Sequence, residues 1–234
     1  MRRAVRILGT LMIVGGVLTL GWAVLVWRWQ DPFTALYTHW EQGKLADSYK
    51  HLVAEYRPAP VQTDLAAERR AIRREAAAFR HSMKRGSAIG RIEIHRVGLN
   101  MVLVNGTDHD SLTKGPGRDL RTFMPGENRL VYIAGHRTTY LAPFAHIDAI
   151  RRGDVIQIEL PYATFVYRAT THRVVTANDL SVLRSPKHEQ LELQACHPRF
   201  FATHRYIVYA KLVRVEPRNG DAFSAVAAQA AARG

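Results

Sequence analysis

The chain has 234 residues, 47% of them hydrophobic and 23% charged, a balance that belongs to a folding chain and excludes low-complexity and coiled-coil architectures. Lysine and arginine outnumber aspartate and glutamate by 33 to 20, a net charge of +13, which favours an anionic partner such as nucleic acid, anionic lipid or a charged cell-wall polymer. The single cysteine, Cys196, excludes an intramolecular disulfide framework and any multi-thiolate metal site, so its thiol is either a packed hydrophobe or a reactive group.

Residues 1–6 form a short basic N-terminus, and residues 7–27 are an uncharged run of 21 residues. As a helix this run spans about 31 Å, the thickness of a bilayer core. Arg2, Arg3 and Arg6 precede it and Trp22, Trp27 and Trp29 cluster at its far end. That asymmetry predicts a single-pass anchor in the cell membrane with a cytoplasmic N-terminus and an extracytoplasmic remainder. A cleaved signal peptide is the other reading, but the run exceeds an ordinary h-region and no small-x-small site follows it. An outside location removes nucleic acid as a partner and leaves lipid head groups and wall polymers to account for the charge.

Residues 28–87 read as a helical extracytoplasmic stalk. Asp31 and Pro32 give an N-cap and a proline at the first helical position, and Phe33, Leu36, Tyr37, Trp40, Tyr49 and Leu52 recur at helical spacing. Pro58 and Pro60 interrupt the pattern, and a second helix is expected from Asp64 to Arg85. Its arginines and lysine (Arg69, Arg70, Arg73, Arg74, Arg80, Lys84, Arg85) read as a solvated face or as an electrostatic contact with anionic lipid or wall polymer.

Residues 88–216 change texture to short β-rich runs punctuated by glycine, proline, asparagine and aspartate, the pattern of a barrel or sandwich. Strands are predicted at Arg91–Val97, Met101–Val104, Leu130–Ala134, Val155–Leu160, Thr164–Val175, Leu191–Ala195 and Tyr206–Val215, with helical turns at Asp108–Leu112 and Phe144–Ile150. Residues 217–234 end in an Ala-rich stretch without large apolar periodicity and are expected to be a disordered tail.

Cys196 closes the strand-like LELQA and opens a loop with His197 and Pro198, a place from which a side chain reaches a ligand. His136 stands likewise after LVYIA and Gly135, and Arg205 opens the run YIVYAKLVRV. A thiolate is a strong nucleophile towards a carbonyl carbon, an imidazole moves the two protons an acyl transfer requires, and a guanidinium stabilises an oxyanion or holds carbonyl oxygens. His197 and His204 are read as exposed loop histidines, with modulation of the thiolate as the alternative.

The segments IAGHRTTYLAPF (133–144) and LQACHPRFFATHRYIVYA (193–210) resemble the histidine and cysteine-arginine motifs of sortases, membrane-anchored cysteine transpeptidases of Gram-positive bacteria. VGLNMVLVNGTD, LTKGPG, PGEN and RRGDVI continue the similarity over about residues 90–215. The GHRTT and CHPRF wording is nearest to the actinobacterial class E group. The resemblance implies a mainly β fold, an eight-stranded sortase-type β-barrel with short helices, and catalytic roles for His136, Cys196 and Arg205, with no cofactor and no metal. It implies cleavage of an LAxTG- or LPxTG-like sorting signal between Thr and Gly, a thioester on Cys196, and transfer to an amine of a peptidoglycan precursor or a pilin. The family's TLxTC signature stands here as Glu192-Leu193-Gln194-Ala195-Cys196, without either threonine. Two other readings stay open: a catalytically weak sortase-like domain that binds wall polymer, and an L,D-transpeptidase-like wall enzyme, although the Ser-x-Gly-Cys context of the latter is missing.

Overall fold

A computed structural model describes residues 2–28 and 32–225. Trp29, the expected cap Asp31 and the chain from 226 onward lie outside the described residues. The apolar N-terminus is helix α1 (Arg2–Arg28). Its segment Arg2–Val24 is long and apolar enough to cross a membrane, and none of it is buried against the rest of the protein.

The β-rich region consists of β1 (Ala88–Ile94), β2 (Leu99–Asn105), β3 (Gly117–Arg118), β4 (Leu130–Ala134), β5 (Val155–Glu159), β6 (Ala163–Thr176), β7 (Gln190–His197) and β8 (His204–Pro217). They pair in the order β6-β5-β1-β2-β3-β4-β7-β8, and β8 pairs back onto β6. The result is a closed eight-stranded barrel, which removes the open edges of a flat sheet. Period-two alternation sets what faces inward: along β7, Leu191, Leu193 and Ala195 are fully buried in the core with Ile92, Ile133, Ile158 and Phe165, while Gln194 and Cys196 point to the outer face and stay half-buried.

The seven predicted strands are present to within a few residues at each end. The expected strand Arg91–Val97 stops at Ile94, because His95–Val97 turn as a 3₁₀ helix closed by Gly98 at φ 64°. The two-residue β3, the 3₁₀ turn Leu180–Leu183 and a ninth strand, β9 (Phe223–Ser224), carry no sequence signal. β9 pairs with β8 at Val215, so the segment following residue 217 is partly built into the sheet where a disordered tail was expected.

The region expected to stand off as a stalk packs onto the barrel. Helix α2 (Pro32–Glu55) buries Thr38, Leu45 and Tyr49, the last two in an apolar cluster with Ala88, Val102 and Val104. Gln42 completes the backbone of β2 beyond the reach of the short β3: its Nε2 donates to Val102 O at 3.1 Å and to Lys114 O at 2.8 Å, while Val102 N–H donates to its Oε1 at 2.8 Å. Helix α3 (Leu65–Ser82) is capped by Asp64, whose carboxylate accepts from Ala67 N–H at 2.8 Å. It turns Ile72, Ala76 and Phe79 into the main core. Part of its basic face is engaged with the protein, since Arg80 pairs with Glu127 at 2.8 Å and Arg69 donates to Ser224 O at 3.0 Å.

Candidate active site

The sheet itself brings the three sequence-predicted residues together. Cys196 and Arg205 are directly opposite partners on the antiparallel strands β7 and β8. β4 runs parallel to β7 with Ala134 against Gln194, and the ladder continues as Gly135 N–H donates to Gln194 O at 3.0 Å. His136 therefore leaves β4 beside the point where Cys196 leaves Gln194. All three side chains line one cavity of about 310 Å³.

Local sequence explains how the chain turns at that point. A Cβ on Gly135 would lie 2.7 Å from Phe144 and 3.0 Å from Pro143, so only glycine lets the loop fold back on itself. Phe144 N–H closes the turn on His136 O at 3.0 Å. Inside the turn Tyr140, Leu141 and Ala142 have φ of 54°, 60° and 39°, left-handed conformations that cost non-glycine residues roughly 1–3 kcal/mol each. Tyr140 sets its ring 5.1 Å from that of His136, and its N–H donates to Thr34 Oγ1 of α2 at 3.2 Å.

Burial, reinforced by the nearby His109, pushes the His136 pKa below the ordinary imidazole value and so favours the neutral ring. Its Nε2 is buried without a hydrogen-bond partner among the described residues. Cys196 is half-buried and free. Arg205 spends Nη1 on Ala202 O at 2.8 Å and His204 O at 3.0 Å, which fixes the guanidinium plane and leaves its other donors for a ligand.

The rest of the cavity is built from Tyr132, Ala134 and Gln194 on the barrel surface, Leu180, Val182 and Leu183 from the loop after β6, and Asp119 with Arg121 from the loop after β3. One part is thus aliphatic and one part polar. Asp119 is held ionised below the usual carboxylate range by hydrogen bonds from Arg121 and Thr107, against the opposing effect of burial. It grips Arg121 through Nε at 2.9 Å and Nη2 at 2.7 Å.

Sequence reasoning missed Arg137. Only 4% exposed, it donates from Nη1 to Cys196 O at 3.3 Å, places the same nitrogen 3.0 Å from His197 Nδ1, and pairs with Asp148 at 2.6 Å. It therefore ties the loop that carries His136 to the strand end that carries Cys196. Its neighbour His136 was the signal available, but the partner carbonyl lies 59 residues away. His197 is engaged by Arg137, whereas His204 is exposed and contacts Thr203. The residue before the nucleophile, Ala195, is fully buried in the barrel core, so a hydroxyl there would point inward, away from the cavity. Glu192 is 2% exposed and accepts from Gln190 Nε2 at 2.7 Å, while its Oε2 has no partner among the described residues.

Comparison with known proteins places the chain in a family. The Sortase domain family model matches residues 92–213, more than half of the chain. The chain belongs to the sortase family. Sortases are cysteine transpeptidases. Sortase D of Bacillus subtilis is 33% identical over 132 residues, covering 55% of this chain and 65% of that protein. Sortase SrtE1 of Streptomyces coelicolor is 34% identical over 110 residues, covering 43% and 31%. The chain thus spans less than two thirds of the length of these curated relatives. Among solved structures, a sortase D5 transpeptidase of Clostridium perfringens superposes with a TM-score of 0.60 at 28% identity, covering 74% of this chain and 98% of that one. Sortase E1 of Streptomyces coelicolor, solved with a tripeptide in its active site, superposes with a TM-score of 0.53 at 26% identity, covering 57% and 92%.

Proposed function

We propose that this sortase is a membrane-anchored transpeptidase in which Cys196 is the nucleophile, His136 the acid and base, and Arg205 the oxyanion and carbonyl donor. The observation that carries the reading is the convergence on one cavity of these three residues, Cys196 and Arg205 from facing strands and His136 from the loop after β4. His136 takes the thiol proton, Cys196 Sγ attacks the scissile carbonyl, and the guanidinium of Arg205 offers donors to the tetrahedral oxygen. The protonated imidazole then gives its proton to the leaving amine, and the thioester remains. An incoming amine, deprotonated by the same imidazole, replaces the thiolate and completes the transfer; water in its place gives hydrolysis.

The substrate is a sorting signal of the LAxTG or LPxTG kind on secreted proteins, cut between Thr and Gly, and the acceptor is an amine of cell-wall precursor or pilin. Leu180, Val182 and Leu183 offer an aliphatic pocket suited to the leading leucine. Helix α1 is the single-pass anchor, with the N-terminus inside and the barrel outside, as its flanking arginines favour. The test is incubation of the full chain in detergent or vesicles with a quenched LAxTG peptide and an amine acceptor. Cleavage, a Cys196-linked acyl intermediate and an amide product are expected, all lost in Cys196→Ala. Absence of cleavage and of the intermediate across several sorting sequences overturns the proposal in favour of a wall-binding domain.

A further inference from the structure

Helix α2 has two faces with different fates. Thr38, Gln42, Leu45 and Tyr49 face the barrel. On the opposite side Leu36, Tyr37 and Trp40 are 71%, 42% and 61% exposed, clustered within roughly 100° of arc at 3.6 residues per turn. Phe33 continues the same stripe, its ring 5.6 Å from Trp22 of α1. Further along, the stripe changes character to Lys44, Asp47 and His51, all exposed, and the Lys44 ammonium sits 3.2 Å above the Trp40 ring. The apolar part of the stripe thus occupies only the first turns of α2, those next in sequence to the unburied apolar helix α1.

We propose that this face of α2 lies in the lipid head-group region, so that the barrel is seated on the bilayer surface through Leu36, Tyr37 and Trp40. Exposed large apolar side chains grouped on one face mark an interaction surface, and tryptophan and tyrosine are the side chains whose apolar body and polar tip suit the membrane interface. The rise from Phe33 to Trp40 is about 10 Å, comparable with the 5–8 Å or so of head-group region on each side of a bilayer. Lys44 stands where the stripe turns polar, the level of lipid phosphate. The proposal rests on the reading of α1 as a membrane anchor. Because Thr34 accepts from Tyr140 N–H and Tyr140 packs on His136, the seated helix also fixes the height of the His136 loop above the lipid.

The experiment uses the full chain in phosphatidylcholine–phosphatidylglycerol vesicles, with Trp22, Trp27 and Trp29 changed to Phe so that Trp40 is the sole emitter. A second variant, also carrying Trp40→Phe and Leu18→Trp, reports on α1. Lipids brominated on the acyl chain near the head group probe contact with the bilayer, and acrylamide probes contact with water. Loss of Trp40 emission with brominated lipid, together with protection from acrylamide, is expected. Quenching by acrylamide but not by lipid overturns the proposal, and if the Leu18→Trp probe is still quenched by lipid the anchor reading survives alone. Protection from both quenchers means that protein covers the face, which also overturns it. Failure of lipid to quench either probe overturns the anchor and the seating together.

Discussion

The proposed nucleophile and its arginine are cross-strand neighbours on β7 and β8, so their separation is fixed by the barrel, while the imidazole arrives on a loop. Arg205 holds its place by donating from one nitrogen to two backbone carbonyls. A lysine ammonium cannot keep those bonds and also present a planar pair of donors. Arg205→Lys is therefore expected to lower kcat/KM of peptide cleavage by about a hundredfold or more, the scale of a lost oxyanion donor, with Tm little changed; near-normal turnover would make Arg205 structural. For His136 the sign follows from burial, which favours the neutral ring. A step that begins with the neutral imidazole accepting a proton gains rate as pH rises through that pKa. The acid limb of kcat/KM is thus expected below the ordinary imidazole range, and a limb above it would show that a neighbouring negative charge outweighs burial.

At the level of elements, β7 carries the most information and the least expected residue. Glu192 occupies the outer face between Gln190 and Gln194, and burial pushes its pKa up to about 7, against the hydrogen bond from Gln190 and the charge of Arg173. The folded protein keeps this proton at pH values where the unfolded chain has lost it. Its contribution is therefore whole below the ordinary carboxylate range and is lost as pH rises towards about 7. Glu192→Gln removes that loss: thermal melts are expected to show the variant gaining up to roughly 1–3 kcal/mol over the parent at pH 8 and little at pH 4. Equal gains at both pH values would mean that Glu192 titrates normally.

The strands β5, β6, β7 and β8 were legible because their apolar alternation is long enough to carry a period, and β4 because LVYIA is a short, continuously apolar buried run. Gly117–Arg118 was not, because two residues carry no period and β3 exists only through its pairing with Val104 and Ala134. That His136, Cys196 and Arg205 meet at one cavity was legible through strand-end positions and ordered motifs. Arg137 was not, because its value lies in reaching the backbone of Cys196 from a distant stretch. The helices were legible as helices, but their packing was obscured by their surface charge, since Leu45, Tyr49, Ile72 and Phe79 are few among many basic side chains.

For the molecule as a whole, the helices once read as a stalk are part of the barrel's covering. Removing residues 1–56 deletes Gln42 and uncovers the cluster of Ala88, Val102 and Val104, with Leu45 and Tyr49 each expected to contribute about 1.5–3 kcal/mol through burial. That truncation should lower Tm by several degrees or more, whereas removing only residues 1–31 should leave it within a degree or two, the scale of frayed termini. Equal melting of the two would mean that α2 rests on the barrel without stabilising it.

Gln42 has a mechanical consequence. Because its amide is bonded to both backbone groups of Val102 and to Lys114 O, α2 is stitched to the sheet rather than hung from it by a flexible tether. A pull on that helix is delivered to strand β2 within a few bonds, with no slack to take up. Helix α2 and the barrel therefore move as one body.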